Sequence, residues 1–435
     1  MSSTANKPTQ DSQYVPGQLL IRYRVPDSPS PLSTTKRLYR QTATDVAQAY
    51  NLHLLEPGVS GADLVSVPAG QDVRALAAQL ERDPRVEYAE PNYYLHALEV
   101  RPNDPYYSYF GGRQWNMSDF GLPEAWEIEE GDSAITVAII DAGVATGHEE
   151  FTGRILPGYD FCGTGADLDG DGAADSCTAP DNDPNPGGAG NSHGTHVTGI
   201  AAANGNNLVG VAGVAFSGVK ILPVKVFDDS GAFATTAEVA DAIRWAAGVD
   251  GTNRYPARIL NLSLGAPGSS SALNDAVSDA RNAGALVIAA SGNYEGGPAI
   301  NTGIFMPANA PGAIAVGSID DDCTRSDFSY YDDTGGKTVA LMAPGGYGPS
   351  GCSSVLSTIP ENKYGCMAGT SMAAPFVSGV AALVWSHHPD WTADQVEAKL
   401  LSSTYFDPLY MNSDEYGNGI ICADRALGAS TLCGQ

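Results

Sequence analysis

Four short segments carry residues that can act together on a carbonyl group. Asp141 ends the apolar run Val137-Ala138-Ile139-Ile140 and is followed by Ala142-Gly143. His193 opens His193-Gly194-Thr195-His196-Val197-Thr198-Gly199. Asn293 closes Ala289-Ala290-Ser291-Gly292-Asn293, and Ser371 sits within Gly369-Thr370-Ser371-Met372-Ala373-Ala374-Pro375. A serine hydroxyl is a weak nucleophile until a neighbouring base takes its proton. Histidine suits that role, with an unperturbed pKa of about 6.5. A buried carboxylate fixes the imidazole tautomer and stabilises the imidazolium. Asn293 supplies an amide donor for the oxyanion that forms on attack. Ser371 stands where a helix should begin, so its own N–H and the helix dipole can face the same charge. Each residue alone has a plain structural explanation: a turn Asp, a solvated loop His, a helix-capping Ser or Thr. Those explanations fail together, because three accidents would not fall into this order with these flanks.

The segments resemble those of the subtilisin-like serine peptidases, the subtilases. Their triad runs Asp, His, Ser along the chain, unlike chymotrypsin or the α/β-hydrolases. The resemblance spans roughly residues 102–427. It implies Asp141, His193 and Ser371 as the triad and Asn293 as the oxyanion donor. It further implies a secreted serine endopeptidase acting on peptides and proteins. Two rivals remain at this point: an inactive binding protein on the same scaffold, and an esterase with the same mechanism.

The elements that must position these residues can be read from the pattern. From residue 135 onward, apolar runs at 135–140, 219–227, 258–264, 285–290, 313–319 and 339–343 read as buried strands. Helical spacing follows at about 193–203, 235–247, 270–283, 370–387 and 392–402. Such alternation predicts an α/β domain with a mostly parallel sheet between helical layers; the resemblance implies that this is the three-layer fold of subtilisin. Ligands then bind at the carboxyl ends of the strands, where Asp141 and Asn293 fall.

Residues 14–98 read as a separate α+β domain. Strands are predicted at 17–23, 63–67 and 86–92, and a helix at 72–80 with Asp72 as its cap. This arrangement, ending in Glu90-Pro91-Asn92, resembles the inhibitory propeptide that precedes subtilases. The resemblance implies a folding assistant that blocks the active site until it is cut, within 95–101. The expected division is a polar tail at 1–13, the propeptide at 14–98 and the peptidase at 99–435.

The chain has 435 residues, more than one typical domain. It holds 50 acidic against 23 basic residues, a net charge of −27. Such a surface repels nucleic acid and favours solubility. No apolar run approaches the ~18 residues of a membrane span. We therefore expect a monomer with neither a nucleic-acid nor a membrane partner. Residues 1–13 lack an apolar signal core, so either a signal peptide has been removed or export takes another route. Seven cysteines in an exported protein imply disulfides with one thiol over. The simplest pairings close short loops: Cys162–Cys177 and Cys422–Cys433, then Cys323–Cys352, with Cys366 as the odd thiol.

Calcium is the expected cofactor, in a structural role. Asp167, Asp169, Asp171 and Asp175 space oxygen ligands as at the start of an EF-hand, and Gly172 permits the sharp turn. Thr178 stands where the closing Glu of such a loop would be. A second site follows from resemblance to the thermitase branch, whose mature amino terminus matches Pro102-Asn103-Asp104-Pro105-Tyr106. That resemblance implies Asp104, Glu150, Asn206 and Asn207 as ligands. Zinc is not expected, because His193 reads as the base and His196 as a packing residue. In subtilases the segments matching Ser263-Leu264-Gly265 and Ala290-Ser291-Gly292 line the specificity pocket. Their small or apolar residues imply an apolar side chain on the acyl side of the cut.

Overall fold

The computed structural model describes residues 14–24, 32–56, 62–68, 70–93, 102–107, 114–163, 180–188, 191–231, 233–294, 303–332, 336–347, 354–409 and 411–429. Asp167, Asp169, Asp171 and Asp175 lie outside them, as do Cys177, Cys352 and Cys433. The chain divides into two compact units, Met1–Leu98 and Glu99–Gln435.

The first unit holds β1 (Tyr14–Tyr23), α1 (Leu32–Tyr50), β2 (His53–Glu56), β3 (Asp63–Ser66), α2 (Val73–Leu80) and β4 (Val86–Tyr93). Its sheet runs β2-β3-β1-β4 and is antiparallel throughout. Leu19, Ile21, Val65, Leu76, Leu80 and Val86 form the core. Asp72 caps α2, its Oδ1 accepting the Ala75 N–H at 2.7 Å. Helix α1 and strand β2 had no clear sequence signal. The inner stripe of α1 is Tyr39, Ala43, Val46, Ala47 and Tyr50, small and aromatic residues in place of Leu and Ile.

In the second unit α3 (Trp115–Ser118) and α4 (Leu122–Trp126) lead into β5 (Thr136–Asp141) and β6 (Tyr159–Asp160). Then come α5 (His193–Ala202), β7 (Lys220–Lys225), α6 (Thr236–Ala246), β8 (Ile259–Leu262), α7 (Ser271–Asn282), β9 (Leu286–Ala290) and β10 (Ala313–Ile319). Next are β11 (Leu341–Pro344), the hairpin β12 (Val355–Ile359) and β13 (Lys363–Met367), α8 (Thr370–His387) and α9 (Ala393–Ser402). Last are β14 (Thr404–Tyr405), α10 (Ser413–Tyr416), β15 (Ile420–Ile421) and α11 (Ala423–Ala426). The nine-stranded sheet runs β14-β15-β11-β10-β9-β8-β5-β7-β6. All its pairings are parallel except that of the edge strand β14.

The expected α/β architecture is therefore present. Strands β8, β9 and β10 are buried along their whole length, as a sheet covered on both faces requires. Helix α5 packs on α8, and α6 on α7. Strand order reverses at β5: the chain leaves it toward β7 on one side, then crosses to β8 on the other. The crevice at this reversal is where open α/β sheets bind ligands. Among the described residues no helix is long and apolar enough to cross a membrane.

Cys162 is disulfide-bonded. Cys323 and Cys422 carry thiols, which corrects the pairings expected for them. The Cys422 side chain is buried beside β15, its Sγ 3.8 Å from the Ile420 carbonyl.

Candidate active site

Strand β5 delivers Asp141 fully buried. Its Oδ1 accepts the Ala142 N–H at 2.7 Å and meets His193 Nδ1 at 2.7 Å. The acceptor at Nδ1 puts the ring proton there and leaves Nε2 as the basic nitrogen. Burial pushes the His193 imidazole down, but the adjacent Asp141 carboxylate outweighs it, and the net shift is upward from 6.5. Gly194 makes the contact possible. A Cβ there would lie 2.3 Å from the Gly143 carbonyl and 3.0 Å from Asp141 Oδ1, forcing the start of α5 away from β5.

Ser371 is the second residue of α8, and its position follows from a proline. Pro375 has no N–H, so the helix cannot satisfy the carbonyl of Ser371 four residues back. Ser263 Oγ donates to that carbonyl instead, at 2.8 Å. Ser263 Oγ in turn accepts from Asn261 Nδ2 at 3.0 Å, and Asn261 Oδ1 accepts from Ser378 Oγ at 2.9 Å. This buried chain ties β8 to the nucleophile's helix. The Ser371 hydroxyl itself donates to the Ser263 carbonyl at 3.1 Å. Ser371 and His193 line the same crevice, and catalytic contacts commonly tighten only when substrate binds.

Asn293 follows β9, with its side chain exposed to the crevice. Its Oδ1 accepts both the N–H and the Oγ1–H of Thr370, each at 2.9 Å. The amide oxygen is thereby fixed, and Nδ2 is left as the outward donor.

A cavity of about 270 Å³ joins these groups. His193, Asn293, Thr370 and Ser371 line it with Ser263, Leu264, Gly265, Ala290 and Gly292. Of the expected pocket residues, Ser291 is not among those that line this cavity. It is fully buried, with its N–H bonded to Val316 O and its carbonyl taken by Phe305 N–H. Sequence reasoning missed Ala142, Phe227, Gly231 and Phe305, which also line the cavity. Phe305 is the notable omission. Its ring sits where a Cβ on Gly292 would be, 2.6 Å away, and Gly292 has a φ of +109°. A glycine inside Ala289–Asn293 was the available signal that something approaches closely there.

His196 is fully buried, and its Nε2 lies 3.1 Å from both the Val355 and Gly365 carbonyls. Burial pushes it down to about 3, so it is a neutral strut between α5 and the β12–β13 hairpin.

Away from the crevice, Asp104 and Glu150 are both buried. Glu150 accepts from Val211 N–H at 2.9 Å, Asn207 Nδ2 at 2.8 Å and Tyr364 Oη at 3.1 Å. Asp104 accepts from the N–H groups of Asn206 at 2.9 Å and Asn207 at 3.4 Å. The Asn206 side chain turns elsewhere, its Oδ1 accepting the Asn103 N–H at 3.2 Å. Burial pushes both acids up, Glu150 to about 7. Among the described residues no basic side chain forms an ion pair with either, and no group of three or more His, Cys, Asp or Glu converges. Both carboxylates, one before α3 and one after β5, face the loop of Asn206 and Asn207, and an N–H or O–H donor meets each of their oxygens.

Fold and site geometry together define a serine peptidase of the subtilisin type. The comparisons agree: the subtilase family matches residues 132–419, and the fervidolysin N-terminal prodomain matches residues 1–92. Thermitase of Thermoactinomyces vulgaris is 40% identical over 285 residues, covering 66% of this chain and 85% of that protein. An extracellular protease of Xanthomonas campestris pv. campestris is 33% identical over 425 residues, covering 93% and 70%. The solved structure of a protease from Pseudoalteromonas arctica PAMC 21717 superposes with a TM-score of 0.64 at 34% identity, over 76% of this chain and 100% of that one. The chain belongs to the subtilase family, as a serine endopeptidase preceded by a prodomain.

Proposed function

We propose that the chain is a secreted endopeptidase, made as a zymogen, in which Ser371 attacks the scissile carbonyl. The carrying observation is the 2.7 Å His193–Asp141 contact, which opens on the cavity that Ser371 and Asn293 line. His193 Nε2 takes the hydroxyl proton and returns it to the leaving amine. Asp141 holds the ring in the Nδ1–H tautomer and stabilises the imidazolium. Asn293 Nδ2 and the Ser371 N–H bear the oxyanion. Water, activated by the same imidazole, then releases the acyl group from Ser371.

Substrate enters extended and pairs with the backbone of 263–265, as an added strand does. An apolar side chain on the acyl side fills the space bounded by Leu264, Ala290 and Phe305. Residues 14–98 act as the inhibitor that is cut away between 95 and 101. Secretion is supported by the extracellular relative from Xanthomonas. Asp104 and Glu150, with the loop carrying Asn206 and Asn207, would hold a structural calcium that stabilises the folded form by mass action. Asp167, Asp169, Asp171 and Asp175 are proposed as a second such site from their spacing alone.

A serine-directed phosphonate tests the reading. The enzyme forms one covalent adduct, mapped to Ser371. A folded protein that takes up no adduct would instead be a binding protein on a peptidase scaffold. Faster turnover of simple esters with no cleavage of peptides would point to the esterase.

A further inference from the structure

We propose that Lys337 is a positioning residue for the substrate pocket: its ammonium locks segment 303–313 and so fixes Phe305 as the pocket floor. The proposal rests on the peptidase reading above.

Lys337 Nζ donates to the carbonyls of Ala308 at 2.8 Å, Ala310 at 2.6 Å and Ala313 at 2.6 Å. Three donors meet three acceptors, so the head group is satisfied. Hydrogen bonds from a charged donor are about twice as strong as neutral ones. The three carbonyls belong to one turn that leads into β10, and they converge on one point. Without a cation there, three inward-facing dipoles would repel and two or more would lose their partner.

The same segment builds the pocket. Phe305 N–H bonds to Ser291 O at 2.9 Å. Met306 pairs both ways with Ala266, at 3.0 and 3.1 Å, just beyond Gly265. Asn309 Nδ2 reaches Gly268 O at 2.7 Å. Phe305 lines both the Ser371 cavity and a second cavity of about 430 Å³. Lys337 lines that second cavity too. The Tyr330 ring supports Phe305 at 4.8 Å between centroids, the backbone of 303–313 sets the rest of its position, and Lys337 is the charged group that holds that backbone.

The test is steady-state kinetics with two peptides that differ only in the residue before the cut, Leu or Ala. In Lys337→Met, KM for the Leu peptide rises about tenfold, the scale of a hydrophobic pocket contact. Its kcat stays within about twofold, because the reacting groups are untouched. Preference for Leu over Ala narrows accordingly. In Lys337→Ala the cage is vacant, and ammonium or potassium chloride, but not the same ionic strength of a tetraalkylammonium salt, restores the preference. Wild-type KM and preference in both variants would overturn the proposal while leaving the peptidase reading intact. Should Lys337→Ala fail to fold, folding rescued by ammonium supports the cage, and failure with and without it overturns it. A wild type that cleaves neither peptide would sink the peptidase reading itself.

Discussion

At the scale of single residues, each group at the site has its orientation set by a partner that can be named. Asn293 cannot flip, because Thr370 occupies its Oδ1 with two donors. Asn293→Ala should therefore cost kcat about 10²–10³-fold with little change in KM, a scale measured in subtilisin. Asp141 acts on His193 in two ways, fixing the tautomer and raising its pKa. The base works only when neutral, so activity should rise with pH through a limb lying above 6.5. In Asp141→Asn the limb should move to lower pH while kcat falls by about 10⁴. A kcat profile whose acid limb stays put in that variant would contradict the assigned pairing.

The proposed triad and Asn293 could be picked out in the sequence because such chemistry demands particular residue types with particular flanks. Phe305 was not. Its role comes from a ring lying across the chain fold against Gly292, and an aromatic in a loop has many ordinary explanations. Ser291 illustrates how little sequence adjacency says of side-chain direction. It is adjacent in sequence to pocket residues, but its backbone is bonded on both sides and its side chain faces inward.

At the scale of elements, β8 and α8 form one device. Pro375 removes a helical donor, and Ser263 replaces it from a neighbouring strand. Ser263→Ala leaves the Ser371 carbonyl without that partner, a loss of roughly 1–3 kcal/mol for a buried acceptor. We expect a lower denaturation midpoint in urea and a fall in kcat, both absent when Ser263→Thr keeps the hydroxyl. Equal stability of wild type and Ser263→Ala would show that the bond carries no such energy.

The buried strands and their following helices matched expectation to within a few residues, because apolar runs of that kind report burial on both faces. The polar helix α1, the two-residue strands β6, β14 and β15, and the β12–β13 hairpin did not announce themselves. No residue of the hairpin's strand Lys363–Met367 is fully buried, and its place is set by His196 on Gly365 and Glu150 on Tyr364, contacts distant in sequence.

At the scale of the whole molecule, stability should depend on pH and calcium together. Burial raises Glu150 to about 7 from 4.5. A carboxyl raised in the folded state contributes stability that is fully present below 4.5 and lost as pH rises through about 7. In Ser371→Ala protein with calcium chelated, Tm should fall across that window, and Glu150→Gln should flatten the slope, leaving the part that Asp104 and Asp320 contribute. Calcium at about 100 times its Kd adds roughly 2.7 kcal/mol at pH 7, where the ionised ligands favour it. A Tm indifferent to chelation at pH 7 would remove calcium from the account.

Peptidase activity that depends on Ser371 should also cut the N-terminal unit from the rest of the chain. Intact mass after refolding in calcium tests it most directly, with wild type and Ser371→Ala in parallel. Wild type alone should lose its N-terminal unit, with the new terminus between residues 95 and 101. Loss of that unit from both proteins, or retention by both alongside a wild type that takes up no phosphonate, would contradict it.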